Sequence, residues 1–147
     1  MPPTERVLDQ QAVLRSRIEQ LYAVQMHLLD SGRAKEWSET FSDDAVVDLP
    51  TLTEPLRGRE ALFLAVERAH SLPERVAEVQ RHWHGLVAVT SRDGSDEVKV
   101  RCYALVIATP VGGEPRIHRS CVCEDVLVER DGAWLVRERR VTRDDMP

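Results

Sequence analysis

The chain has 147 residues, enough for one domain with a real core and too few for two. Twenty-five acidic residues against twenty basic ones give a formal net charge of −5, which argues against nucleic acid as the main partner. No apolar run is long enough to cross a membrane and the start, MPPTERVLDQQ, lacks a signal peptide's apolar core, so the expectation is a single cytoplasmic domain over residues 1–147.

In chain order, Glu5 to Asp30 reads as the longest helix, with Val7, Leu14, Ile18, Leu21, Met26 and Leu28 near helical spacing, ended by Asp30-Ser31-Gly32. RAKEWSETF predicts a short second helix that sets Trp37 and Phe41 one turn apart. Ser42-Asp43-Asp44 then turns the chain into a first strand, Ala45 to Leu49, closed by Pro50 and Pro55. Gly58 precedes a third helix whose Leu62, Phe63, Val66 and Ala69 form an apolar side, and Pro73 marks the break after it. Arg81 to Thr90 reads as the next strand, followed by a turn over residues 92–95. Glu97 to Val141 carries three long strands rich in Val and Ile, broken at Gly112-Gly113 and Asp131-Gly132, the dipeptides of tight antiparallel turns. A sheet this long needs a partner on at least one face, and the helices upstream supply it, so the fold class is α+β.

Several polar residues in this pattern bear chemistry. His82 and His84 flank Trp83 on a strand, so both imidazoles share one face and the indole takes the other. Imidazoles lining a pocket suit general acid–base work. The alternative reading is that His82 and Asp30 only cap a strand and a helix, and that His84 fills the core. Cys121, Cys123 and Asp125 share one side of their strand. An inward Asp125 must be paired or hydrogen-bonded, so it is either a catalytic or orienting group or half of an ion pair with Arg137 or Arg139. Asp48, at the end of the first strand, is a possible pocket-mouth residue. Cys102, Cys121 and Cys123 read as free thiols in a reducing compartment. No Cys-x-x-Cys spacing occurs, and no nicotinamide or flavin signature; neither metal nor cofactor is expected.

The segments LLDSG, KEWSETFSDDAVVD, RGREAL, RHWHG and CEDVLVERDGAWLVRERRV, in that order, resemble the SnoaL-like branch of the NTF2-like superfamily over nearly the whole chain. Their wording is most similar to members associated with actinomycete aromatic polyketide pathways. The resemblance implies a cone: N-terminal helices packed on a strongly curved, mixed but mostly antiparallel sheet that encloses a pocket. It also implies that His82 matches a catalytic histidine of scytalone dehydratase and Asp30 its partner aspartate. Positions that hold polar pocket groups there read Leu29, Leu49, Ala108 and Cys123 here. The expected function is a cofactor-independent dehydratase, cyclase or isomerase acting on an aromatic polyketide-like intermediate. Two alternatives stand beside it, a non-catalytic binding or accessory subunit of an oxygenase, and an epoxide hydrolase. The family also implies a homodimer formed through the open sheet face, where Trp83 and Tyr103 are consistent with it.

Overall fold

The computed structural model describes residues 3–94 and 96–146; Met1 and Pro2 of the expected leaderless start, Ser95 of the expected turn and Pro147 lie outside them. The elements run α1 (Pro3–Asp30), α2 (Ala34–Ser38), β1 (Phe41–Asp48), β2 (Leu56–Arg57), α3 (Gly58–His70), α4 (Pro73–Val76), β3 (Glu78–Asp93), β4 (Glu97–Pro110), β5 (Arg116–Arg130) and β6 (Ala133–Arg143). All six strands form one sheet in the order β2-β1-β6-β5-β4-β3. Every pairing is antiparallel except β1 with β6, so the sheet is mixed.

The helical stripe of α1 explains how it docks. Leu14, Ile18, Tyr22 and Met26 recur every fourth residue and are buried, while Val7 and Leu8 in the first turns are exposed. The helix ends in a Schellman motif: Arg33 N–H donates to Leu28 O at 3.0 Å, Gly32 N–H donates to Leu29 O at 3.1 Å, and Gly32 has φ +73°. This stop makes Asp30 the final helical residue. It is reinforced by His70 at the end of α3, whose Nε2 lies 2.7 Å from Leu29 O. Between β5 and β6 the chain reverses through Asp131 and Gly132, both at positive φ, as a tight hairpin turn requires. The core fills the layer between helices and sheet, with Trp37 and Phe41 in edge-to-face contact at 4.7 Å.

The cone expected from the resemblance requires correction. The sheet is neither strongly curved nor closed: its strands follow one another in a single row that ends on β2 at one side and β3 at the other. A closed cone would need these ends to approach each other, whereas β2 is only two residues long and pairs with β1 alone. Side chains from α1 and from β4, β5 and β6 fill the helix-facing side. A cleft of about 540 Å³, with Asp48, Lys99, Arg101, Glu124, Glu138 and Arg140 in its lining, includes the charged residues of the sheet's other face. What stands is an α+β fold with N-terminal helices on an open, mixed, mostly antiparallel sheet.

Candidate functional site

Two neighbouring groups of polar side chains lie where α1 meets β3, β4 and β5. The first is built on the helix stop. Asp30 presents its carboxylate to β3, where the backbone N–H of His82 donates to Oδ2 at 3.1 Å and the ring Nδ1 lies 2.6 Å from Oδ1. A carboxylate can only accept, so Nδ1 carries the hydrogen and Nε2 is left as the ring's basic nitrogen. The Asp30 side chain is 7% exposed and that of His82 is 25% exposed. The acid is therefore largely dry while the imidazole can still be reached. Trp83, on the opposite side of the strand, is exposed, as alternation along β3 demands.

The second group lies deeper. Asp125 is fully buried and its four contacts saturate both oxygens: Arg139 Nε donates to Oδ1 at 3.0 Å and its terminal nitrogen to Oδ2 at 2.8 Å, Tyr22 O–H donates to Oδ2 at 2.5 Å, and Cys123 S–H to Oδ1 at 3.2 Å. Burial pushes the Asp125 carboxyl up, but the charge and hydrogen bonds of Arg139, with the Tyr22 and Cys123 bonds, outweigh it and hold the group below its ordinary range. The same burial, with the Asp125 charge beside it, drives the Tyr22 phenol well above its usual value. The Arg139 guanidinium also sits over the rings of Tyr22 and Phe41, at 5.6 and 5.4 Å.

His84, two residues along β3 from His82, reaches the second group. Its ring meets Tyr22 edge-on at 5.6 Å, and its Nδ1 lies 3.9 Å from Cys102 Sγ. Cys102 stands directly across the β4–β5 ladder from Cys123. The neighbouring Cys123 sulfur, and then contact with His84, lower the Cys102 thiol to about 5 against the effect of burial. The Cys123 thiol is raised in turn, by its contact with Cys102 and by burial.

Among the residues expected from sequence, the structure brings Asp30 to His82, and sets His84, Cys123 and Asp125 in the adjoining layer. Arg139, not Arg137, is the partner of Asp125; Arg137 pairs with Glu97 at 2.9 Å. Cys121 is buried near Arg119 and Arg143, outside both groups, and burial pushes its thiol up. Asp48 is exposed on the far side of the sheet and lines the charged cleft there. Sequence reasoning missed Tyr22 and the part played by Cys102. A tyrosine in the apolar stripe of α1 is a usable signal, because its hydroxyl must find a partner once buried. Cys102 becomes informative only when the strand register is known.

The model of the SnoaL-like domain matches residues 10–140, so the chain belongs to the SnoaL-like family, within the NTF2-like superfamily. It is similar to a Catenulispora acidiphila protein solved at 2.5 Å, with 34% identity, a TM-score of 0.81, and coverage of 92% of this chain and 95% of that one. A C. acidiphila structure in complex with S-DNPA is also 34% identical, with a TM-score of 0.79 and coverage of 91% and 96%. Aln2 from a Streptomyces species is 29% identical, with a TM-score of 0.82 and coverage of 90% and 92%. No curated relative matches the chain. None of the described helices is long and apolar enough to cross a membrane.

Proposed function

We propose that the protein is a proton-transfer enzyme, a dehydratase, cyclase or isomerase, acting on an aromatic polyketide-like ketone, with His82 as the base and Asp30 as its orienting partner. The observation that carries this reading is the Asp30 carboxylate within 2.6 Å of His82 Nδ1, which fixes the tautomer and leaves Nε2 to accept a proton. Nε2 takes the proton next to a carbonyl, and the electron pair of the broken C–H bond moves into the enolate. The imidazolium then returns the proton, either to a leaving hydroxyl, which departs as water, or to another carbon, which isomerises the substrate. The likeness to a C. acidiphila protein solved in complex with S-DNPA supports a small-molecule substrate.

The epoxide-hydrolase alternative is the weaker one, because an acid that activates water needs a free oxygen and both oxygens of Asp125 are already engaged. The same reading includes a homodimer through the outer sheet face, where Trp83 and Tyr103 are exposed on neighbouring strands. His82→Gln, assayed for exchange of the ketone's α-hydrogen with solvent deuterium, tests the assignment: exchange at the wild-type rate discards it.

A further inference from the structure

We infer that His84, Cys102 and Cys123 form a binding site for a thiophilic divalent cation, with zinc the best match, in the layer between α1 and strands β3, β4 and β5. One ligand atom from each residue lies within 4.8 Å of the other two, and the His84 Nδ1 to Cys102 Sγ edge is 3.9 Å. Tetrahedral zinc, with bonds of about 2.3 Å to sulfur and about 2.0 Å to nitrogen, sets these edges at about 3.5 Å for S···N and about 3.8 Å for S···S. Closing the cluster on a metal thus shortens no edge by more than about 1.3 Å.

The ligands stand on rigid backbone. Cys102 and Cys123 face each other across the β4–β5 ladder, and His84 pairs with Ala104, two residues along β4 on the same face as Cys102. Strand-mounted ligands hold their geometry better than loop-mounted ones. The edge contact with Tyr22 adds a wall to the His84 ring.

Charge and ligand type select the ion. Two thiolates offset a dication, neutral imidazole adds nothing, and Asp125 with Arg139 is already a balanced pair, so the loaded layer holds no net buried charge. Coordination removes the Cys123 proton, yet Asp125 keeps its bonds from Arg139 and Tyr22 and is not orphaned. Two sulfurs and an imidazole disfavour calcium and magnesium, which want oxygen ligands. Three protein ligands leave the fourth tetrahedral position for water or a bound oxygen. The site stands independently of the proton-transfer reading, since neither Asp30 nor His82 is a ligand.

The test is a titration of tag-free, reduced, chelator-stripped full-length protein with cobalt(II), followed by zinc(II). The expected result is one equivalent of cobalt bound with thiolate-to-cobalt charge-transfer absorption, displaced by one equivalent of zinc and unaffected by excess magnesium. Cys102→Ser and His84→Gln are each expected to weaken zinc binding about 100-fold or more, because each removes one of three ligands. Cys121→Ser, buried but outside the cluster, should bind zinc as the wild type does. Should Cys102→Ser fail to fold, His84→Gln at its half-buried position, checked by circular dichroism, still decides. Absence of the charge-transfer band in wild-type protein, or undiminished zinc affinity in folded His84→Gln, would overturn the assignment.

Discussion

Replacing Arg139 with Met leaves a carboxylate fully buried with no counter-charge. The Asp125 side chain is 0% exposed and takes two of its four hydrogen bonds from that guanidinium. Breaking a buried pair from one side costs about 3–5 kcal/mol, because the remaining charge has neither water nor partner. That is a large share of the roughly 5–15 kcal/mol that holds a domain together, so the variant should be marginal. The Met side chain roughly conserves the apolar stem, which leaves the charge as the main loss. Removing both charges, as Asp125→Leu with Arg139→Met, should cost only about 1–3 kcal/mol, mainly for the Tyr22 hydroxyl left without its acceptor. Urea unfolding at neutral pH, followed by far-ultraviolet circular dichroism, measures both. With a slope near 2 kcal/mol per molar, the single variant should lose about 2 M in midpoint and the double variant clearly less. A single variant within about 1 kcal/mol of wild type, or a double variant worse than the single, would refute the reasoning.

Three further outcomes are expected. Asp125 has a folded pKa below its ordinary 3.8, so its contribution is full above that value and is lost as pH falls through the folded value; the stability gap between wild type and Asp125→Asn should therefore hold at neutral pH and narrow only below about 3.8, and a gap that narrows near pH 6 would contradict this. Gly32→Ala forces a side chain into φ +73° and places its Cβ 3.3 Å from the His70 ring, so a loss of about 1–2 kcal/mol should appear as a lowered urea midpoint. Trp83→Glu puts a charge on the outer face expected to join two copies, and analytical ultracentrifugation should find monomer for the variant and dimer for the wild type; identical species would remove this face as the interface.

Much of the architecture was readable from punctuation. The Gly32 stop, the Asp131-Gly132 turn and the alternating strands are local chemistry, so they survive without knowledge of the partners. Phe41 sits four residues after Trp37 and therefore read as helical, yet it opens β1, where pairing with β6 outweighs local spacing. The two residues of β2 are too few to show a period, and α4 was hidden behind Pro73, which read as a break although proline also suits a first helical turn. Curvature was misjudged for a different reason. Alternation tells which face of a strand is buried, but how far a sheet bends depends on twist and bulges accumulated over all its strands.

The site divides along the same line. Asp30 and His82 were paired through the family resemblance, which matches them to a catalytic histidine and its partner aspartate, whereas their own positions, a helix stop and a strand, were equally compatible with capping. Asp125 was readable as a buried acid in need of a cation, while the choice between Arg137 and Arg139 turned on a register shift between β5 and β6 near Val126 and Leu127. The meeting of His84, Cys102 and Cys123 was not readable at all, since it depends on the registers of three strands at once.

The proton-carrying role of the Asp30–His82 pair is tested most directly by comparing wild type, His82→Gln and Asp30→Asn for α-hydrogen exchange and turnover on aromatic polyketide-type hydroxyketones. The geometry predicts a fall of about 10²–10⁴-fold for His82→Gln, the usual contribution of a positioned base, and about 10–100-fold for Asp30→Asn, which disturbs only the ring's orientation and tautomer. Wild-type rates in a folded His82→Gln protein would contradict it.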